Sequence, residues 1–266
     1  KSYYVQSTKD NTATAFPTSE GTWTFPGRTF FADTLNISLP NTVSAAKGLR
    51  IDDWHWKNGT MLIYGGNSGT GSDPVLKTKV VTIAGNLYTY SGGALTFRTY
   101  GSPFSRYDCN ISGGGALTVT TYGNASSASS NNGNIGFFGD TSGFGGKIVL
   151  TQETSSKEYT EGGVTFKTPT DKYCVSLHID DGRALGGSCG EAFAYDALTI
   201  EQYAKLVTRD NDVTLADGLN RGILINGNGR FAIPAGLTLT VNRPITVNGR
   251  MRKTDAGTLV LGNALR

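Results

Sequence analysis

The sequence predicts an all-β chain wound as a parallel β-helix, a β-solenoid, and three observations carry that expectation. Glycine is abundant, 36 of 266 residues, while proline numbers only 8. Glycine at about twice its ordinary usage, set among many Thr, Ser and Asn, means frequent tight turns between short extended segments. The phrase "ALTFRTYG" at 94–101 returns as "ALTVTTYG" at 116–123, each time after a glycine-rich turn. That interval falls in the range of solenoid repeats. From Val213 onward a short alternating apolar segment begins roughly every six to ten residues, about three to a twenty-odd-residue coil. The glycines follow no strict three-residue period, which excludes collagen.

Taken in order, residues 1–70 are expected to cap the solenoid. Trp23, Phe25, Phe30, Phe31, Trp54, Trp56 and Tyr64 gather there, and a first coil has an apolar end to cover. The alternative is a glycan-stacking platform, with Trp54 and Trp56 as its candidates, because flat rings present area at low entropy cost. Residues 71–266 supply the coils. "KIVLTQ", "GGVTF", "VSLHID", "DVTL", "GILI", "RFAI", "LTLTV", "PITV" and "TLVLG" alternate over a few positions and end in Gly, Asn or Asp turns. Val213, Leu215, Ile223, Ile225, Leu237, Leu239, Val241, Ile245, Val247, Leu259 and Leu261 are expected inside. The segment "AYDALTIEQYAKL" at 194–206 has helical spacing through Leu198, Tyr203 and Leu206. It also alternates and runs directly into the solenoid, so a strand is expected.

Charged residues make up 17% and hydrophobic ones 38%, so much of the surface is hydroxyl and amide, as on many secreted and cell-surface proteins. A net charge of +3 with no basic block argues against a nucleic-acid partner. No apolar run reaches the ~18 residues of a membrane-spanning helix, so no insertion is expected within this segment. The chain opens on Lys1-Ser2-Tyr3-Tyr4, in which no signal peptide is visible.

Candidate chemistry is sparse. "GGSCG" at 186–190 matches Gly-x-Ser-x-Gly around Ser188, but His55 and His178 both precede it, against the hydrolase order. Asp180, Asp181 and Arg183, with His178 alongside, are the residues to watch if the chain cleaves glycans; Asp52, Asp53 and His55 come second. Adjacent strand residues face opposite ways, so only one acid of each pair can share a face with a partner. Two histidines and three cysteines make no zinc spacing, and neither a calcium nonapeptide nor a phosphate loop occurs. No metal or cofactor is expected. Cys174 and Cys189 are close enough in sequence to close a small loop in an oxidising compartment, leaving Cys109 unpaired; free, partly buried thiols are the alternative. Asn-x-Ser/Thr triplets at Asn36, Asn58, Asn110 and Asn124 read as chance in so polar a sequence.

The closing stretch "NGRMRKTDAGTLVLGN" resembles the autotransporter-associated β-strand repeat. Lys253, Thr254, Gly257, Thr258, Leu259, Leu261, Gly262 and Asn263 match its usual phrase, while Met251 and Asp255 replace a leucine and a glycine. Asn220-Arg221-Gly222-Ile223 is similar to a phrase in the coils leading into that repeat. "GDTSGFGGKIVL", "GRALGG" and the opening "TWTFPGRTFF" are similar to other parts of the same long bacterial proteins. The resemblance implies a right-handed parallel β-helix, exported as a passenger to the outside of a Gram-negative-type cell, and a stop within a longer solenoid. The function expected is adhesion or extracellular scaffolding, toward glycans or host and neighbour surfaces. A carbohydrate-active β-helix enzyme and a self-assembling subunit, joined end to end through an uncapped coil, are the alternatives.

Overall fold

The structure, a computed structural model, describes the backbone of residues 2–6, 22–25, 28–30, 33–38, 47–64, 80–100, 104–121, 133–151, 158–161, 164–167 and 174–262. Side chains are described over 54–61, 83–99, 104–121, 133–151 and 174–262. Seventeen strands join one sheet, and Val213–Leu215, Thr238–Val241 and Thr258–Leu261 form a second. Every pairing in both is parallel. The large sheet curls strongly on itself, as in β-solenoid-type repeat folds.

The chain visits three rows in turn. The first row stacks Gly133–Phe137, Val175–Ile179, Lys205–Thr208, Arg230–Ala232 and Arg252–Thr254. The second holds 54–56, 87–89 and 111–113, and later Val213–Leu215 with its two partners. The third stacks Ala116–Thr121, Lys147–Leu150, Ala194–Ile200, Arg221–Gly227 and Ile245–Gly249. Lys47–Tyr64 passes through all three rows, and its register shifts at Ile51/Trp54 and Trp56/Asn58 mark the corners.

The echoed phrase has a direct structural meaning. Residues 94–99 lie on 116–121 in register, Ala94 against Ala116 and Leu95 against Leu117. Thr121 Oγ1 donates to Thr99 O across the 22-residue interval. The repeat in sequence is one coil of the stack.

Strand alternation then turns like residues onto one axis. Met61, Phe97, Val119, Leu150, Ile200, Ile225 and Val247 form a single line in the third row, and all but Val247 are fully buried. Each such side chain contributes about 1.5–3 kcal/mol on burial. Phe97 meets Tyr107 and Phe137 edge-on at 4.8 and 5.0 Å, joining the third row to the first. At the turn from the third row to the first, Asn248 Nδ2 donates to Asn226 Oδ1, and Asn226 Nδ2 to Glu201 Oε2, both at 2.9 Å. This amide line ties three successive coils together at that turn.

Several expectations meet a definite outcome. Residues 194–206 are not helical: Ala194–Ile200 is a third-row strand, followed by a turn and then Lys205–Thr208 in the first row. Leu198, Ile200 and Leu206 are all buried, reaching the same core from two rows rather than from one helix face. Among the described residues the only helical element is the 3-10 turn Gly182–Leu185, which spans most of "GRALGG". "GGVTF" departs from the coil pattern. Glu158–Glu161 and Val164–Lys167 pair antiparallel as a hairpin between the third-row strand Lys147–Leu150 and the first-row strand Val175–Ile179. Leu237, Val247 and Leu259 are partly buried against the core. Leu261, expected inside, is exposed: it faces Val241 on one side, and no described strand covers the other. Trp54 and Trp56 are core residues, 2% and 0% exposed, whereas the rings of Trp23, Phe25, Phe30, Phe31 and Tyr64 lie outside the described side chains.

Candidate functional site

Asp180 and Asp181 sit where the chain leaves Val175–Ile179 and turns into the second row. Asp181 Oδ1 accepts from Arg183 N at 2.8 Å, and its Oδ2 accepts from Arg183 Nε and Nη2 at 3.1 and 2.9 Å. Asp180 Oδ1 accepts from Asp210 N in the next coil at 2.7 Å. Asp140, not singled out in the sequence, accepts from Ser142 N at 2.8 Å and lies 3.6 Å from Arg183 Nη1. Three carboxylates therefore each hold a backbone N–H at a coil corner. Hydrogen bonds from Arg183 hold the Asp181 carboxyl below its ordinary range, and those from Ser142 do the same for Asp140. A glycosidase's general acid needs the opposite shift.

The remaining candidates disperse. His178 points outward from the first row, with Nε2 3.1 Å from Asn134 Oδ1 and its ring edge-on to Phe104 at 5.2 Å. Burial, then the charges of Arg209 and Lys205, push its pKa down to about 3. Ser188 Oγ accepts from Gly190 N at 3.1 Å and closes a turn. Of Asp52 and Asp53 only the backbone is described. Asn58 Oδ1 accepts from Ala94 N at 3.1 Å, and Asn110 bridges Asn86 Oδ1 and Asp140 N, so two of the Asn-x-Ser/Thr amides tie neighbouring coils together. Asn124 lies outside the described residues.

The bridge expected between Cys174 and Cys189 is not formed, and none of the three cysteines is in a disulfide. Cys174 immediately precedes the first-row strand Val175–Ile179, whereas Cys189 lies beyond the second row, where its N–H reaches Leu219 O at 3.1 Å. The chain between them runs along one face and around a corner, which separates the sulfurs despite the short interval. Burial pushes the Cys109 thiol up to about 12 and raises Cys174 as well. Among the described residues no group of three His, Cys, Asp or Glu is arranged to hold a metal ion.

Two features escaped the sequence reading. Arg221 and Arg243 are buried. Arg221 Nη1 donates to Cys189 Sγ at 3.0 Å and its Nη2 to Gly146 O at 2.8 Å, while Arg243 Nε donates to Ala216 O at 3.2 Å. Burial and the neighbouring Arg221 charge push Arg243 down to about 10. The signal was present: Asn-Arg-Gly-Ile at 220–223 returns as Asn-Arg-Pro-Ile at 242–245. The second feature is an exposed ring cluster. Trp54 and Trp56 point inward, so His55 between them points out, with Tyr88 of the next coil directly in register. Tyr88 and Tyr90 share that outer side because the buried Thr89 separates them.

No family model matches the chain, and neither a curated protein nor a solved structure matches it.

Proposed function

We propose that this chain is a non-enzymatic, secreted or cell-surface β-solenoid serving adhesion or extracellular scaffolding. One observation carries the reading: Asp140, Asp180 and Asp181 each accept a backbone N–H at a coil corner, and Asp140 and Asp181 are both paired with Arg183, so these carboxylates serve the turns. A non-catalytic all-β scaffold fits that use of acids, since glycosidic cleavage needs charged groups on both sides of one bond. The finer identity, a right-handed passenger of the autotransporter-associated kind with residues 1–70 as its cap, is supported by the closing phrase around Lys253–Asn263 and by the parallel stacking. Export to the outer cell surface belongs to the same proposal, as does contact with glycans or neighbouring surfaces. End-to-end self-association is a further part of the proposal.

The test is incubation with plant, algal and mucin polysaccharides, read by reducing-end and unsaturated-product assays. No turnover is expected. Turnover abolished by Asp180→Ala or Asp181→Ala would overturn the scaffold reading in favour of a carbohydrate-active enzyme.

A further inference from the structure

We propose that His55, Tyr88 and Tyr90 form a stacking platform for the pyranose rings of a neutral glycan. The inference rests on the display reading above and gives it a ligand class. His55 and Tyr88 lie on adjacent coils with ring centroids 5.2 Å apart. Tyr90 meets Tyr88 edge-on at 5.2 Å and His55 at 6.0 Å, with its Oη 3.5 Å from His55 Nδ1. Tyr88 and Tyr90 remain 37% and 38% exposed, so the cluster braces itself while leaving ring surface open to solvent.

The platform is fixed before any ligand arrives. Thr89, between the two tyrosines, is buried and its Oγ1 donates to Gly114 O of the next coil at 2.6 Å. Tyr88 lies against Gly113, where an added Cβ would come 3.0 Å from Tyr88 Cε2 and 2.0 Å from Thr89 O. The residue in register with Tyr88 on the far side is the small Ser112. Rings held by stacked strands lose little freedom on binding, which is the condition for useful affinity from a small surface.

The surrounding chemistry selects the ligand. Exposed Asn58, Asn86 and Asn110 and the half-buried Ser112 lie nearby in sequence or register, and Asn110 Nδ2 donates to Asn86 Oδ1 at 3.1 Å. A pyranose unit has an apolar C–H face and a rim of hydroxyls, which suits exposed ring faces with amides and a hydroxyl at neighbouring strand positions. His55 and Tyr88 stand one strand spacing apart, ~4.8 Å, so two rings of adjacent coils lie side by side. A polyanion would call for a line of cations, and the cluster borders on Lys57 and the imidazole of His55 rather than on such a line.

The experiment titrates the full chain with cellohexaose, xylohexaose, laminarihexaose and mannohexaose, by calorimetry and by tyrosine-ring NMR shifts. At least one is expected to bind, and Tyr88→Ala and Tyr90→Ala each to weaken it about tenfold or more. Tyr195→Ala, at a site 53% exposed elsewhere on the surface, should leave binding unchanged. Circular dichroism checks folding, and Tyr90→Ala decides the matter if Tyr88→Ala fails that check. Three results overturn the platform: no binding of any of the four at millimolar concentration, binding insensitive to both substitutions, or a sedimentation-detected dimer lost in both variants. The last would assign the patch to a second copy of the chain. None of these touches the scaffold reading, which falls on turnover alone.

Discussion

His178 shows how position decides chemistry. In sequence it stands beside two acids in "HIDDGR" and invites a catalytic reading. Folded, it is held neutral against Phe104 and Asn134, with its pKa near 3 against an ordinary 6.5. Between those values the unfolded chain binds the extra proton and the folded chain does not, so stability falls as pH drops through that window. His178→Gln should flatten the pH dependence of the urea midpoint between about pH 6.5 and 4. A variant with the wild-type slope would show that the imidazole is not held neutral. Below that range both proteins should weaken, because the depressed Asp140 and Asp181 carboxyls contribute stability that is lost as they protonate. Trp54 and Trp56 teach a related lesson. Alternation puts both on one face and His55 on the other, yet sequence alone does not say which face is inside.

At the level of the element, the strands were legible because alternation is local and the coil repeats it. The 22-residue echo became a register, and 194–206 became a strand and a turn. The hairpin Glu158–Glu161 with Val164–Lys167 was not legible, since "GGVTF" alternates just as a coil strand does and pairing direction leaves no trace in the period. The corners were legible only as glycine-rich turns. Gly115, with φ +87, would place an added Cβ 2.4 Å from Gly93 O of the preceding coil. Gly115→Ala should therefore destabilise by about 1 kcal/mol or more, from strain and close approach together. Ile225→Ala, a fully buried member of the third-row core line between Ile200 and Val247, should cost about 2–5 kcal/mol in chemical unfolding. A loss below ~1 kcal/mol at Ile225 would mean that the line is not packed as described.

For the whole molecule, the account depends on coils that stack in register and stabilise one another. Each coil buries its inward residues against its neighbours, so stability is shared along the axis and is lowest at an uncovered end. Amide exchange should accordingly be slowest around Ile148–Leu150 and Leu198–Ile200 and faster at Thr258–Leu261, where Leu261 is exposed. The composition and the period disclosed this stacking. They did not disclose the ring cluster or the buried arginines, which depend on which residues adjacent coils bring side by side. The most direct measurement is a cross-link across the echo. Thr96 and Thr118 are register partners on the outer side of the third row, and neighbouring strands lie ~4.8 Å apart, within the Cα range a disulfide spans. Thr96→Cys with Thr118→Cys, in a Cys189→Ser background, should form one disulfide under mild oxidation, identified by peptide mass. Thr96→Cys with Thr214→Cys, which lies in the second row, should form none. A bridge in the second pair, or its absence in the first with the protein folded, would contradict the stacked coil.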